Sequence, residues 1–227
     1  MILWEGKSYI DGKPIVAIAT GYKGKSNNRK TGAMVQVWVL RQDISPVEAK
    51  KSSNDFSVCG DCPLRQANGG GCYVNVGQAP LAIWRKYRRG GYPVWDKSAF
   101  DRPVRFGAYG DFAALPPYFV AYLKLMSPKG FTGYTHGWKY RSDLAETCMA
   151  SVHTVEEKEY AKSLGFRTFR TGNAGAGDIL CPSETGISCE QCKLCCGTSK
   201  QAKDIYIPAH GPAAKKVDAI STMGVMS

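Results

Sequence analysis

The sequence predicts an α/β protein: a partial or complete parallel βα barrel, with a small N-terminal β region and a C-terminal cysteine-rich metal-binding segment. Three observations carry this prediction. The 227 residues are 44% hydrophobic and 22% charged, which is globular composition and excludes wholesale disorder. From Ser57 onward, short apolar runs of strand length alternate with helical stretches some five times over short links, the pattern of a parallel sheet covered by helices. The third observation is the clustering of cysteines in two places along the chain.

Residues 1–54 form the N-terminal β region. Pro14 to Ala19 and Met34 to Leu40 are apolar, β-branched runs, and Gly21 to Gly32 between them is a basic loop rich in Gly, Lys, Asn and Ser. Residues 55–211 form the barrel-like domain. A helix is expected over Asn75 to Arg89, stopped by Gly90 and Gly91. A strand follows over Val104 to Tyr109, then a helix over Leu115 to Met126 opened by Pro116 and Pro117, where missing amides matter least. Phe131 to Thr135 is a strand, Ser142 to Glu146 a short helix and Cys148 to Val152 a strand. Thr154 and Glu157 have the spacing of a capping box, and Gly165 closes that helix. Arg167 to Arg170, Asp178 to Leu180 and Ile205 to Ile207 are the remaining strands. The insert 181–197 is cysteine-rich, and 212–227 is a loose tail.

Lys plus Arg number 30 against 19 Asp plus Glu, a net charge of +11. Such an excess favours a polyanionic partner, nucleic acid first, because a basic face displaces counterions from phosphate. No stretch reaches the length of ~18 uncharged apolar residues that a membrane span requires, so no membrane association is expected. The opening residues lack a charged region followed by an apolar run, so no secretory signal is read there. A reducing cytoplasm follows as the expected location, the host cytoplasm if the protein is phage-encoded. In that compartment clustered cysteines are metal or redox groups more often than disulfides.

The first group is Cys59-x2-Cys62-x9-Cys72 and the second is Cys181-x7-Cys189-x2-Cys192-x2-Cys195, with Cys196 adjacent. A two-residue spacing lets two thiolates reach one ion or cluster from a single tight turn. Zinc wants four N or S ligands in a closed tetrahedron, and the second group supplies four. Its C-x2-C-x2-C also matches the first three positions of a ferredoxin-type run. The first group offers three thiolates, enough for a 4Fe–4S cluster with one iron open, or for zinc completed by His136 or His153. The spacing leaves both metals in play. Cys148, inside an apolar strand, reads as packing.

In a βα barrel, chemistry gathers at the carboxyl ends of strands. That rule points to Cys59, Asp111, His136, His153 and Cys181, each placed just after an expected strand. His136 suits a ligand or proton-transfer role, while Asp111 reads equally as a helix cap. His210 follows the last strand in the same way. Arg85, Lys86, Arg88 and Arg89, interleaved with Trp84 and Tyr87, have the composition of a phosphate-contacting and base-stacking face. The Gly172-x2-Gly175-x-Gly177 stretch lacks both the Walker and the dinucleotide spacing and reads as a flexible connection.

The strings Cys-Gly-Asp-Cys-Pro-Leu-Arg…Gly-Cys-Tyr-Val (59–74), Arg-Phe-Gly-Ala-Tyr-Gly-Asp (105–111), Thr-Gly-Tyr-Thr-His-Gly-Trp (132–138), Met-Ala-Ser-Val-His-Thr (149–154) and the segment 181–197 carry a resemblance. Their order resembles the core of radical S-adenosylmethionine (SAM) enzymes, and more closely compact cysteine-rich phage and prophage proteins of that type, over roughly residues 55–211. The family's usual cysteine spacing is C-x3-C-x2-C. The resemblance implies that Cys59, Cys62 and Cys72 ligate a 4Fe–4S cluster that chelates SAM, and that Gly110 and Asp111 lie where the family binds the SAM amino group. It further implies an auxiliary cluster or a structural zinc on Cys181, Cys189, Cys192 and Cys195. The expected activity is therefore that of a radical-SAM-like enzyme acting on nucleic acid or a nucleotide-derived substrate. The alternatives are a zinc-dependent nucleic-acid-binding protein without catalysis and, more remotely, a guanine or deazaguanine transglycosylase-like barrel with Asp111 as nucleophile.

Overall fold

The computed structural model describes residues 1–24, 28–209 and 214–223. Three antiparallel strands begin the chain: β1 (Ile2–Lys7), β2 (Pro14–Thr20) and β3 (Val35–Arg41). Two short helices, α1 (Pro46–Lys51) and α2 (Phe56–Cys59), and the helix α3 (Ala79–Arg88) then lead to β4 (Val104–Tyr109), which pairs parallel with β3. The alternation continues through α4 (Pro117–Leu125), β5 (Phe131–Thr135), β6 (Met149–Val152), α5 (Val155–Ser163) and β7 (Thr168–Thr171). The two-residue β8 (Ile179–Leu180), α6 (Cys189–Cys192), β9 (Ile205–Ile207) and α7 (Ala214–Met223) complete it.

All nine strands form one sheet in the order β1-β2-β3-β4-β5-β6-β7-β9-β8, parallel from β3 onward. The α/β class and the parallel sheet are as expected. The sheet is open, since the order runs from β1 at one edge to β8 at the other, so a closed barrel is not formed. The N-terminal β region is continuous with the rest through β3 and β4, where the core is densest. Ile15 to Ala19 are fully buried, the signature of a strand covered on both faces. Phe106 stacks on Phe112 and Phe131 with centroids 4.7 and 5.0 Å apart, joining β4, β5 and the turn between them.

Four local expectations need correction. Cys59 does not follow a strand: it ends α2, separated from β3 by α1, because Ser45 and Pro46 start a helix directly after the strand. The helix at Asn75 begins only at Ala79, because the Asn75 side chain accepts from the Gly77 amide and holds a turn instead. In the expected capping box Thr154 does accept from the Glu157 amide, but Glu157 reaches past it to the His153 amide. The stretch after Gly211 is helical over Ala214–Met223 with Val217 buried, whereas composition reads it as loose. His210 lies outside the described residues, as do residues 25–27 of the basic loop.

Candidate active site

Strand β4 sets up the site through a bulge that the sequence pattern does not reveal. Gln36 opposes Arg105 but Trp38 opposes Tyr109, so β4 carries extra residues around Gly107. Gly107 has φ +72° and Gly110 φ +79°; a Cβ on Gly110 would lie 2.5 Å from the Val39 carbonyl oxygen. Gly110 is thus required by its approach to β3, and it delivers Asp111 to the carboxyl end of the sheet.

Asp111 is buried, and both its oxygens are engaged. Oδ1 accepts from the Ala113 amide at 2.8 Å and from Thr135 Oγ1 at 2.7 Å, and Oδ2 accepts from the His136 amide at 2.7 Å. The capping role is therefore real, and the same carboxylate staples β4 to β5. Burial raises its pKa above the usual carboxylate range, while these hydrogen bonds pull the other way. The Asp111 amide donates to the Val58 carbonyl, so the end of β4 also fixes α2 and with it Cys59.

Cys59, Cys62 and Cys72 lie near one another, and the proximity of their sulfurs adds to the effect of burial on their acidity. The Cys59 thiol is pushed far above its ordinary value and Cys62 up to about 12, burial first in both cases. Arg65 inside this loop donates to Asp55, to the Gly60 carbonyl and to the Ser53 carbonyl, tying the loop back on α2.

A cavity of about 450 Å³ opens between this loop and the carboxyl ends of β4 to β9. It brings together the trio, Gly110 and Asp111, His136 and His153, and Cys181 and Cys189 of the second group. That volume falls within the range of small-molecule sites. One shared rim is what the strand-end rule anticipates, and the structure supplies it.

His136 and His153 face each other with Nε2 atoms 3.1 Å apart. The rings are nearly parallel, and their centroids lie 5.3 Å apart, close to the greatest separation that the 3.1 Å nitrogen gap allows. The two imidazoles therefore meet edge to edge around one proton rather than face to face. Burial and mutual proximity lower the His136 pKa to about 3, and burial lowers that of His153. Unfolded, each would titrate near 6.5, so the unfolded chain takes up protons that the folded pair refuses. Stability contributed by the neutral pair is complete above pH 6.5 and is lost as pH falls from there toward 3. Urea titrations between pH 7.5 and 4 are expected to show that decline, and H136Q should flatten it; equal slopes in both proteins would rule out the pair as its source.

The second group surrounds a much smaller space. Cys181, Cys189, Cys192 and Cys195 line a void of about 10 Å³, the size of a single atom, together with Thr132 and Tyr134. Burial raises the thiol pKa of Cys195, Cys189 and Cys192. The segment is latched to distant parts of the chain. The Cys189 and Glu190 amides donate to the Lys30 and Thr31 carbonyls, Glu190 accepts from the Ala33 amide at 2.7 Å, and the Gly133 amide of β5 donates to the Cys195 carbonyl. The described part of the basic loop is thereby folded onto the cysteine segment. Among the described residues, no three His, Cys, Asp or Glu side chains converge closely enough to share a single ion.

Cys148 is fully buried in the core, as its apolar context suggests. Arg85, Lys86, Arg88 and Arg89 are exposed on α3. Trp84 and Tyr87 are not free to stack on bases, because Trp84 donates to the Arg41 carbonyl and Tyr87 to Glu5, both packed inward. No helix among the described residues is long and apolar enough to cross a membrane. No protein-family model, no curated protein and no solved structure matches the chain.

Proposed function

We propose that the protein is a metal-cluster-dependent enzyme of radical-SAM type acting on a nucleic-acid or nucleotide-derived substrate in the cytoplasm. One observation carries this reading: the cysteine trio, Asp111 and the histidine pair share a single cavity at the carboxyl ends of parallel strands. This reading takes the open, mostly parallel sheet beside that cavity as a partial barrel.

Three cysteines lining a roomy cavity match the three protein ligands of a 4Fe–4S cluster with one iron left open. Cys59, Cys62 and Cys72 would hold it, leaving one iron without a protein ligand. A cluster held by these residues would supply the reducing electron that cleavage of SAM needs. Gly110, whose close approach to Val39 of β3 leaves no room for a Cβ, sets the chain path that brings Asp111 to the cavity beside the trio. Asp111 orients β5 and the His136 amide through its three hydrogen bonds, and the His136–His153 pair holds a transferable proton away from bulk water. The four thiols around the atom-sized void suit a closed zinc site, reached by small rotations about χ1. Anaerobic reconstitution followed by reduction with SAM present is expected to yield 5′-deoxyadenosine. A reduced, cluster-replete sample that neither binds nor cleaves SAM would leave the trio structural.

The exposed basic residues of α3 and the +11 charge favour a second reading, a zinc-dependent nucleic-acid-binding protein without catalysis. Affinity for duplex DNA is then expected to fall with salt by about 0.9 log units per phosphate contact for each log unit of salt. Replacing Arg85, Lys86, Arg88 and Arg89 by Ser should flatten that slope, and an unchanged slope would make α3 a solvated face. A transglycosylase is disfavoured because both oxygens of Asp111, its nucleophile, already accept hydrogen bonds.

A further inference from the structure

The wall of the cavity carries polar atoms that the fold leaves without partners. Thr31 Oγ1, Arg105 Nε, Thr132 Oγ1 and His153 Nδ1 are all buried, all belong to residues lining this cavity, and none has a hydrogen-bond partner among the described residues. Buried donors left unmade are expensive, and a guanidinium more than most. Arg105 and Thr132 are direct neighbours across the β4–β5 ladder, so their side chains leave the sheet on the same side. Thr31 is brought to this wall by the latch between Lys30, Thr31 and the cysteine segment. No carboxylate pairs with Arg105 among the described residues, in contrast to Arg41, Arg65, Arg102 and Arg141, each of which holds an Asp.

We infer that Arg105, Thr132 and Thr31 form an oxyanion subsite that receives a phosphate group of a nucleotide substrate. This rests on the nucleotide reading of the cavity proposed above and names the part of the substrate that the cavity grips. The charged Nε–H donor of Arg105 and the two threonine hydroxyls match the several acceptor oxygens of a phosphate. The cavity volume excludes a duplex, so the phosphate belongs to a free nucleotide or to a single unit taken out of a strand. The competing role for Arg105 is as a counter-charge to Cys189, whose thiol acidity it increases.

Calorimetric titration of the metal-replete full chain with the four ribonucleoside 5′-monophosphates, the matching nucleosides and inorganic phosphate separates these roles. At least one monophosphate is expected to bind about tenfold or more tightly than its nucleoside. R105M should erase that difference, and T132V should reduce it, with nucleoside affinity and metal content unchanged. The subsite is overturned by equal binding of phosphate and nucleoside forms, or by an undiminished preference in both variants. It is also overturned if R105M loses metal along with the preference, which would assign Arg105 to the cysteine centre. Loss of the preference in the Arg85, Lys86, Arg88 and Arg89 serine variant would place the phosphate on α3 instead. T132V keeps the test open if R105M fails to fold. None of these titrations uses SAM, so absence of SAM cleavage would leave their outcome readable.

Discussion

Replacing Arg65 by methionine is expected to lower the free energy of unfolding by about 3–5 kcal/mol, the range for breaking a buried ion pair from one side. Arg65 and Asp55 each expose only 7% of their side chains, and Nε and Nη2 both donate to Asp55 Oδ1, at 3.0 and 2.6 Å. Methionine keeps the apolar stem but leaves a buried carboxylate facing no cation. The remaining guanidinium bonds go to the Gly60 and Ser53 carbonyls, so the substitution also frees the segment between Cys62 and Cys72. Two readouts follow. Urea denaturation of R65M should give the loss of stability, and D55N combined with R65M should recover part of it, because the stranded charge is then gone. Iron bound after reconstitution should fall in R65M even at temperatures where the protein is fully folded. A loss below about 1 kcal/mol with normal iron binding would mean that the trio loop is held by other contacts.

The second large effect is expected at the other cysteine group. Structural zinc contributes folding free energy directly, with apparent binding of about 10–16 kcal/mol in small zinc domains. Here only part of that is expected to appear as stability, because the sheet has its own core. Cys195→Ser, with Cys192→Ser as a companion, should release zinc and lower the Tm. The damage should spread through particular contacts: the Cys195 carbonyl accepts from Gly133 of β5, and Arg167 donates to the Leu194 and Gly197 carbonyls. The loop around Thr31 should also loosen, since it is tied to Cys189 and Glu190. A chelator should lower the Tm of the wild-type protein to that of the variant and leave the variant unchanged. Zinc-free wild-type protein with the same Tm in the presence and absence of chelator would remove the metal from the segment.

The sequence by itself determined the class of the fold, because short runs of β-branched and aromatic residues such as Val104 to Tyr109, Phe131 to Thr135 and Ile205 to Ile207 form strands when they are buried. It also determined that the residues after those strands would share one rim, since parallel strands present all their carboxyl ends on the same side. Asp111, His136, His153 and Cys181 obey that rule. Local pattern was silent wherever the deciding partner is far along the chain. Cys59 reaches the cavity from a helix because Val58 is bonded to Asp111, some fifty residues on. Arg105 reads as an ordinary strand residue until the fold places it beside Thr132 on the cavity wall, its Nε without a hydrogen-bond partner among the described residues. Trp84 and Tyr87 read as stacking aromatics until Arg41 and Glu5 claim them. Periodicity reports which side of an element is buried, but which polar group is left without a partner depends on what packs against it, and that only the tertiary structure decides.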